Sequence, residues 1–217
     1  MEQEIGLVGG QGLTFFGKTN RIISHELKNI LAIISETLGL INELLELAET
    51  TPRLDAGKIQ ALSVSVLEEV DRANTIIRTL NSLAHCVDEL MTDVDLTHEL
   101  TLCLNLVRLD RPSREITIQS VPASGHFIKS SPFFLVMLLY EAMHYAVLHA
   151  DPAHHLQISL ISESAAERIV CNGLKLTPTD RFPVDSAQLL ARSLAVEIYL
   201  NPAQGEMHLV LPKVIGT

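Results

Sequence analysis

The chain has no tryptophan, only three tyrosines and six phenylalanines, so aromatic residues occupy 4% of its 217 positions. A core must then be built from Leu, Ile, Val and Ala, which agrees with a hydrophobic share of 47% and favours helix packing. That share excludes a disordered chain, which would hold too few apolar groups to offset the entropy of folding. Cysteine is scarce and odd in number. Cys86, Cys103 and Cys171 stand far apart, which points to free thiols in a reduced compartment and not to a disulfide frame. There is no run of five or more basic residues, and a formal net charge of −10 opposes contact with a phosphate backbone, so no nucleic-acid partner is expected. No uncharged apolar stretch reaches the ~18 residues of a membrane span. The first residues, "MEQEIGLVGG", lack the basic start of a secretory leader. The expectation is a soluble, cytoplasmic protein with no membrane partner.

What is present divides the chain into an N-terminal segment (1–20), a helical region (21–92) and a mixed region (93–217). The first segment is glycine-rich and commits to no element. From Ile22 to Ala48 apolar residues recur at 23, 27, 30, 34, 41, 44 and 48, a 4–3 spacing interrupted only by Thr37. Pro52 and Gly57 then break the pattern. It resumes at Val66, Val70, Ala73, Ile77, Leu80, Ala84, Val87 and Met91. Two long helices joined by a short loop form a hairpin. Further apolar residues at Leu31, Leu38, Leu45, Leu67, Ile76, Leu83 and Leu90 widen each stripe beyond what one hairpin can bury. A second copy completing a dimeric four-helix bundle is therefore predicted.

After residue 92 the period changes. "REITIQSV", "HLQISLIS", "RIVC" and "EMHLVLP" read as strands. Ser131 followed by Pro132 starts a helix that is apolar nearly all round, and Asp185 can cap "SAQLLARSLAVEIYL" as another. The fold class is α+β: a helical hairpin, then an α/β sandwich with helices laid on one mixed sheet.

Two stretches carry candidate chemistry. Gly12 to Thr19, "GLTFFGKT", fits the phosphate-loop pattern G-x-x-x-x-G-K-[ST], in which backbone amides, a lysine and a hydroxyl hold a nucleotide and its magnesium. That pattern needs a buried strand before it and a parallel sheet beside it. Neither context follows here, and two phenylalanines inside the loop suit packing better, so a packed segment is the preferred reading. The second stretch is "SHELKN", Ser24 to Asn29. In the helical frame that buries 23, 27, 30 and 34, His25 projects outward, Asn29 lies one turn on, and Glu26 and Lys28 are adjacent. An exposed imidazole can take a phosphoryl group on one nitrogen while a carboxylate orients the other. A lysine can balance phosphate charge and an amide can position a phosphate oxygen or a water.

On those residues the chain resembles the bacterial sensor histidine kinases, whose H-box reads roughly S-H-E-[LIM]-[RK]-[TN]. All positions from Ser24 to Asn29 match. The resemblance implies His25 as phospho-acceptor, Glu26 as its acid/base neighbour and Asn29 as an aid to dephosphorylation, with Lys28 at the motif's basic position. The family's following proline is replaced by Ile30, which implies a straighter helix. An α/β domain after the hairpin extends the likeness in outline.

The residues that kinases use for ATP are missing. "VMLLYEAMHYAV" resembles the N-box but has Glu141 at the metal-binding asparagine, with Met137 four residues earlier. "VCNGLKL" resembles "VxDNGxGI" with Cys171 at the adenine-reading aspartate and Lys175 at a glycine. Near the glycine-rich "GxGLGLxxV" box stand Leu190 and Arg192, and the lid shrinks to "KLTPTDRFPVDS". Methionine is no base, cysteine accepts hydrogen bonds poorly, and side chains block an approach that glycine permits.

An H-box dimer with such a degenerate domain resembles the bacterial histidine phosphotransferases of the ChpT type, although the run Glu26-Leu27-Lys28-Asn29 is closer to the kinases. This resemblance implies a phosphorelay between receiver-domain aspartates of response regulators through His25, with no ATP, no cofactor and no metal site of its own. Magnesium would come with the receiver. Two alternatives stay open: an active histidine kinase with a divergent ATP site, and a non-catalytic dimeric adaptor or kinase regulator. Against the adaptor, a vestigial acceptor motif would have drifted as the ATP boxes have.

Overall fold

The computed structural model describes residues 2–50, 55–110, 116–120, 125–152, 155–183 and 185–214. They fall into two compact units: Lys18–Asn81, and Met1–Gly17 together with Ser82–Thr217.

The unit Lys18–Asn81 is helical. It contains most of α1 (Glu2–Thr50) and of α2 (Ala56–His85). The N-terminal residues read as uncommitted are helical from Glu2 and run without interruption into the helix that carries His25. Glycine at 6, 9, 10, 12 and 17 disfavours helix by about 1 kcal/mol each, and local propensity therefore misled. Gly57, expected as a breaker, is the second residue of α2, whose start is fixed by the Asp55 carboxylate accepting the Lys58 N–H at 3.1 Å. Pro52 lies outside the described residues.

On α1, Ile23, Ile30 and Thr37 are buried, which is the expected frame. Thr37 fits where a hydrophobe was due because its hydroxyl donates to the Ile33 carbonyl at 2.8 Å and leaves the methyl for packing. On α2 the buried residues are Ile76, Thr79 and Leu83, whereas Val70 and Ile77 are 40% and 44% exposed. The inward stripe is thus turned by one position from the spacing through 70 and 77. Apolar pairs such as 66/67 and 76/77 satisfy either frame, so periodicity could not choose. Val87 and Met91 lie past the end of α2 at His85.

The other unit is the mixed domain. Two short strands, β1 (Thr92–Asp95) and β3 (Phe127–Ser130), pair antiparallel. A five-stranded sheet has the order β2-β4-β5-β7-β6. It comprises β2 (Ile116–Ser120), β4 (Leu156–Ser162), β5 (Ala166–Asn172), β6 (Glu197–Asn201) and β7 (Glu206–Pro212). Only β2 and β4 are parallel. Its covered face is an unbroken apolar layer of Ile158, Leu160, Ile169, Cys171, Met207, Leu209 and Leu211, all fully buried. Among its described residues this domain also holds the helices α3 (Leu96–Asp110), α4 (Pro132–Leu148) and α5 (Asp185–Ser193). The sequence reading missed α3, β1 and β3.

Helix α4 begins as expected, with Ser131 at the N-cap and Pro132 in the first turn, but the Ser131 hydroxyl makes no capping bond. Its row of Leu135, Leu138, Leu139, Ala142, Met143 and Ala146 is fully buried, as its all-round apolar sequence requires. Helix α5 stops at Ser193, so the expected helix through Leu200 is a helix followed by strand β6. The stop is a tight C-terminal turn: Val196 N–H donates to the Ala191 carbonyl at 2.8 Å, and Ala195 takes φ 51°. The whole is an α+β fold, helices followed by a largely antiparallel sheet domain.

Candidate functional site

His25 sits on an exposed face of α1, opposite in phase to the buried Ile23 and Ile30. One turn on, the Asn29 side-chain nitrogen donates to His25 Nδ1 at 3.3 Å and to Glu26 Oε2 at 3.4 Å. The spacings i+4 and i+3 put both partners on its own helix face. The other Glu26 oxygen is bonded by the guanidinium of Arg72 on α2, which also reaches Glu69 Oε2 at 3.3 Å. His25, Glu26 and Asn29 are therefore brought together, and Lys28 is exposed and stands outside their network.

The geometry differs from the expected one in one respect. The amide of Asn29, and not the Glu26 carboxylate, faces the near ring nitrogen. With Nδ1 accepting from an amide N–H, the neutral ring carries its proton on Nε2. An attack by Nε2 needs that proton on Nδ1, which a reversed Asn29 amide, presenting its oxygen, can accept. Arg72 escaped the sequence reading. The Glu69-Arg72 spacing was visible as a local pair, but which residue of α1 it would meet depends on helix register, which periodicity left ambiguous.

The residues at the degenerate ATP boxes are parts of the core. Met137 is buried, Leu190 is buried on α5, and Cys171 is buried on β5 opposite Ile158 and Met207. Burial pushes the Cys171 thiol up to about 12, so it is a neutral thiol at neutral pH. Glu141 is half-buried, while Lys175 and Arg192 are exposed. The glycine that survives, Gly173, has φ 87°, and a methyl there would stand 2.6 Å from the His155 carbonyl oxygen. A close backbone crossing accounts for it. Within the short lid segment residues 177–180 form a turn, in which Thr177 N–H donates to Asp180 Oδ2 at 2.6 Å, and Phe182 is buried against Tyr145 at 4.7 Å between ring centres.

The Walker-like stretch is helix throughout, Gly12 to Thr19 lying inside α1. Helical amides at those positions are turned toward preceding carbonyls and cannot wrap a phosphate. Gly12 and Phe15 instead pack on α4, as the packed reading expected.

No protein-family model and no curated protein sequence matches the chain. Among solved structures it is similar to the mycobacterial sensor histidine kinase MprB, at 16% identity and a TM-score of 0.45, over 58% of this chain and 99% of that one. It is also similar to the Acinetobacter baumannii histidine kinase AdeS, at 14% identity and a TM-score of 0.47, over 89% and 98% of the two chains. A third is the ATP-binding domain of PrrB from Mycobacterium tuberculosis, at 20% identity and a TM-score of 0.43, over 59% and 100%. No helix among the described residues is long and apolar enough to cross a membrane.

Proposed function

We propose that the protein is a histidine phosphotransfer component of two-component signalling, relaying a phosphoryl group between receiver-domain aspartates through His25 without ATP. The observation that carries this reading is the contrast between the two sets of motif residues. The acceptor motif is exposed and cross-linked by polar contacts, while Met137, Cys171 and Leu190 have been absorbed into an apolar core.

In the proposed step, Nε2 of His25 attacks the phosphorus of an aspartyl phosphate on a docked receiver. A P–N bond forms as the bond to the aspartate oxygen breaks, and the carboxylate leaves with its electron pair. The Nδ1 proton of the resulting cationic ring is held by the oxygen of a reversed Asn29 amide, which releases its resting bond to Glu26, while Arg72 balances the Glu26 carboxylate. Reversal onto a second receiver completes the relay. Magnesium accompanies the receiver. Exposed Leu31, Leu38, Leu45 and Leu67 on the two helices are the surface we assign to a second copy, which would close a four-helix bundle.

The test is incubation of the chain with phosphorylated receiver domains from the same source. Acid-labile phosphate on wild type and none on His25→Gln supports the relay. Its absence from wild type, or its persistence in His25→Gln, overturns it. Micromolar affinity for magnesium-ATP would favour a kinase instead.

A further inference from the structure

Among the described residues of α1, Gly12 and Phe15 meet α4. A methyl at Gly12 would stand 2.9 Å from Cε1 of the Phe133 ring and 3.9 Å from Sδ of Met137, so glycine lets the helix approach without displacing that ring. One turn on, Phe15 is buried, with its ring centre 6.2 Å from that of Phe133 and 5.2 Å from that of Tyr140. Phe133, Met137 and Tyr140 are spaced i, i+4 and i+7, one face of α4.

The rest of this segment holds the contact poorly. A methyl added at Gly9, Gly10 or Gly17 would meet nothing within 4 Å among the described residues, so these glycines weaken the helix with no packing return. Leu13 is 79% exposed. Gln11 Oε1 is buried with no hydrogen-bond partner among the described residues, so closure strands a polar atom that opening would return to water. Among the described residues of 9–17, Phe15 is the one large side chain that closure buries.

We propose that residues 9–17 form a detachable strap, anchored by Phe15 and released at Gly17, whose opening uncovers the apolar row Phe133-Met137-Tyr140 while the remainder of the fold stays intact. The stretch with the Walker-like signature is thereby a conformational device of the α4 surface.

Amide hydrogen exchange on the full chain tests this. The amides of 13–17 are expected to exchange far faster than those of 135–147, through an opening that leaves α4 protected. Phe15→Ala is expected to accelerate 13–17 by at least about tenfold with α4 unchanged, the scale set by losing one buried aromatic ring. Should Phe15→Ala fail to fold, Gly10→Ala gives the opposite reading: a slowing of about fivefold confined to the strap. Equal protection of the two segments, or equal acceleration of both by Phe15→Ala, would show that the strap opens only with global unfolding and would overturn the proposal.

Discussion

The Arg72 guanidinium on α2 bonds the Glu26 carboxylate on α1, next in sequence to His25. It turns a residue adjacent to the candidate acceptor into one end of a chain running from Arg72 through Glu26 and Asn29 to the His25 ring. The acceptor's orientation therefore depends on both helices of its unit.

From that chain, Arg72→Gln is expected to slow phosphoryl transfer to His25 by roughly tenfold or more, within the range that a positioned acid/base group contributes. The pair is partly solvated, so unfolding free energy should change by less than about 1 kcal/mol. Rapid-quench transfer assays beside urea unfolding separate the two effects. A loss of transfer matched by a large loss of stability would assign Arg72 a structural role only.

Glu99 on α3 offers a pH prediction. It is buried, with the Cys86 thiol 4.0 Å away, and burial, reinforced by the Asp95 charge, raises its carboxyl to about 7. The folded state thus keeps a proton that the unfolded state releases near 4.5. Stability from this group is unchanged below that lower value and falls as pH rises toward 7. The loss amounts to roughly 3 kcal/mol. Glu99→Gln is expected to match wild type near pH 4 and to exceed it above pH 7, read from urea midpoints across that range. Parallel stability curves for the two proteins would refute the assignment.

Ala195 occupies the left-handed position after α5, where an L side chain costs energy that glycine does not. Ala195→Gly is expected to raise stability by about 0.5–1 kcal/mol despite the added freedom of the unfolded chain, measured by thermal or denaturant unfolding.

The proposed second copy rests on Leu31 and Leu38, 60% and 46% exposed. Replacing both by Asp is expected to convert a dimer to a monomer in light scattering while the helix content stays as in wild type. A wild-type monomer at micromolar concentration would remove the four-helix bundle from the account.

Long apolar periods made α1, α4 and the strands β4, β5 and β7 readable, because each buries one face or all of its surface. Other features depended on distant partners. The helical state of residues 2–20 was hidden by glycines, and the Phe15 contact with α4 is not local. The inward face of α2 was undecidable where apolar residues stood side by side. Helix α5 could not be told from the strand after it until Ala195 was seen to end it. Of the candidate site, the motif from Ser24 to Asn29 gave His25 and its helix neighbours, since i+3 and i+4 contacts are fixed by helix geometry. Arg72 lay beyond reach because register between helices is a tertiary property.

In the proposed relay phosphate reaches His25 from a receiver aspartate and not from ATP. The most direct measurement follows radiolabelled phosphate in two reactions, one supplied with a phosphorylated receiver domain and the other with magnesium-ATP alone. Acid-labile label is expected on wild type in the first, none in the second, and none on His25→Gln in either. Label appearing from ATP alone, or from the receiver onto His25→Gln, would contradict it.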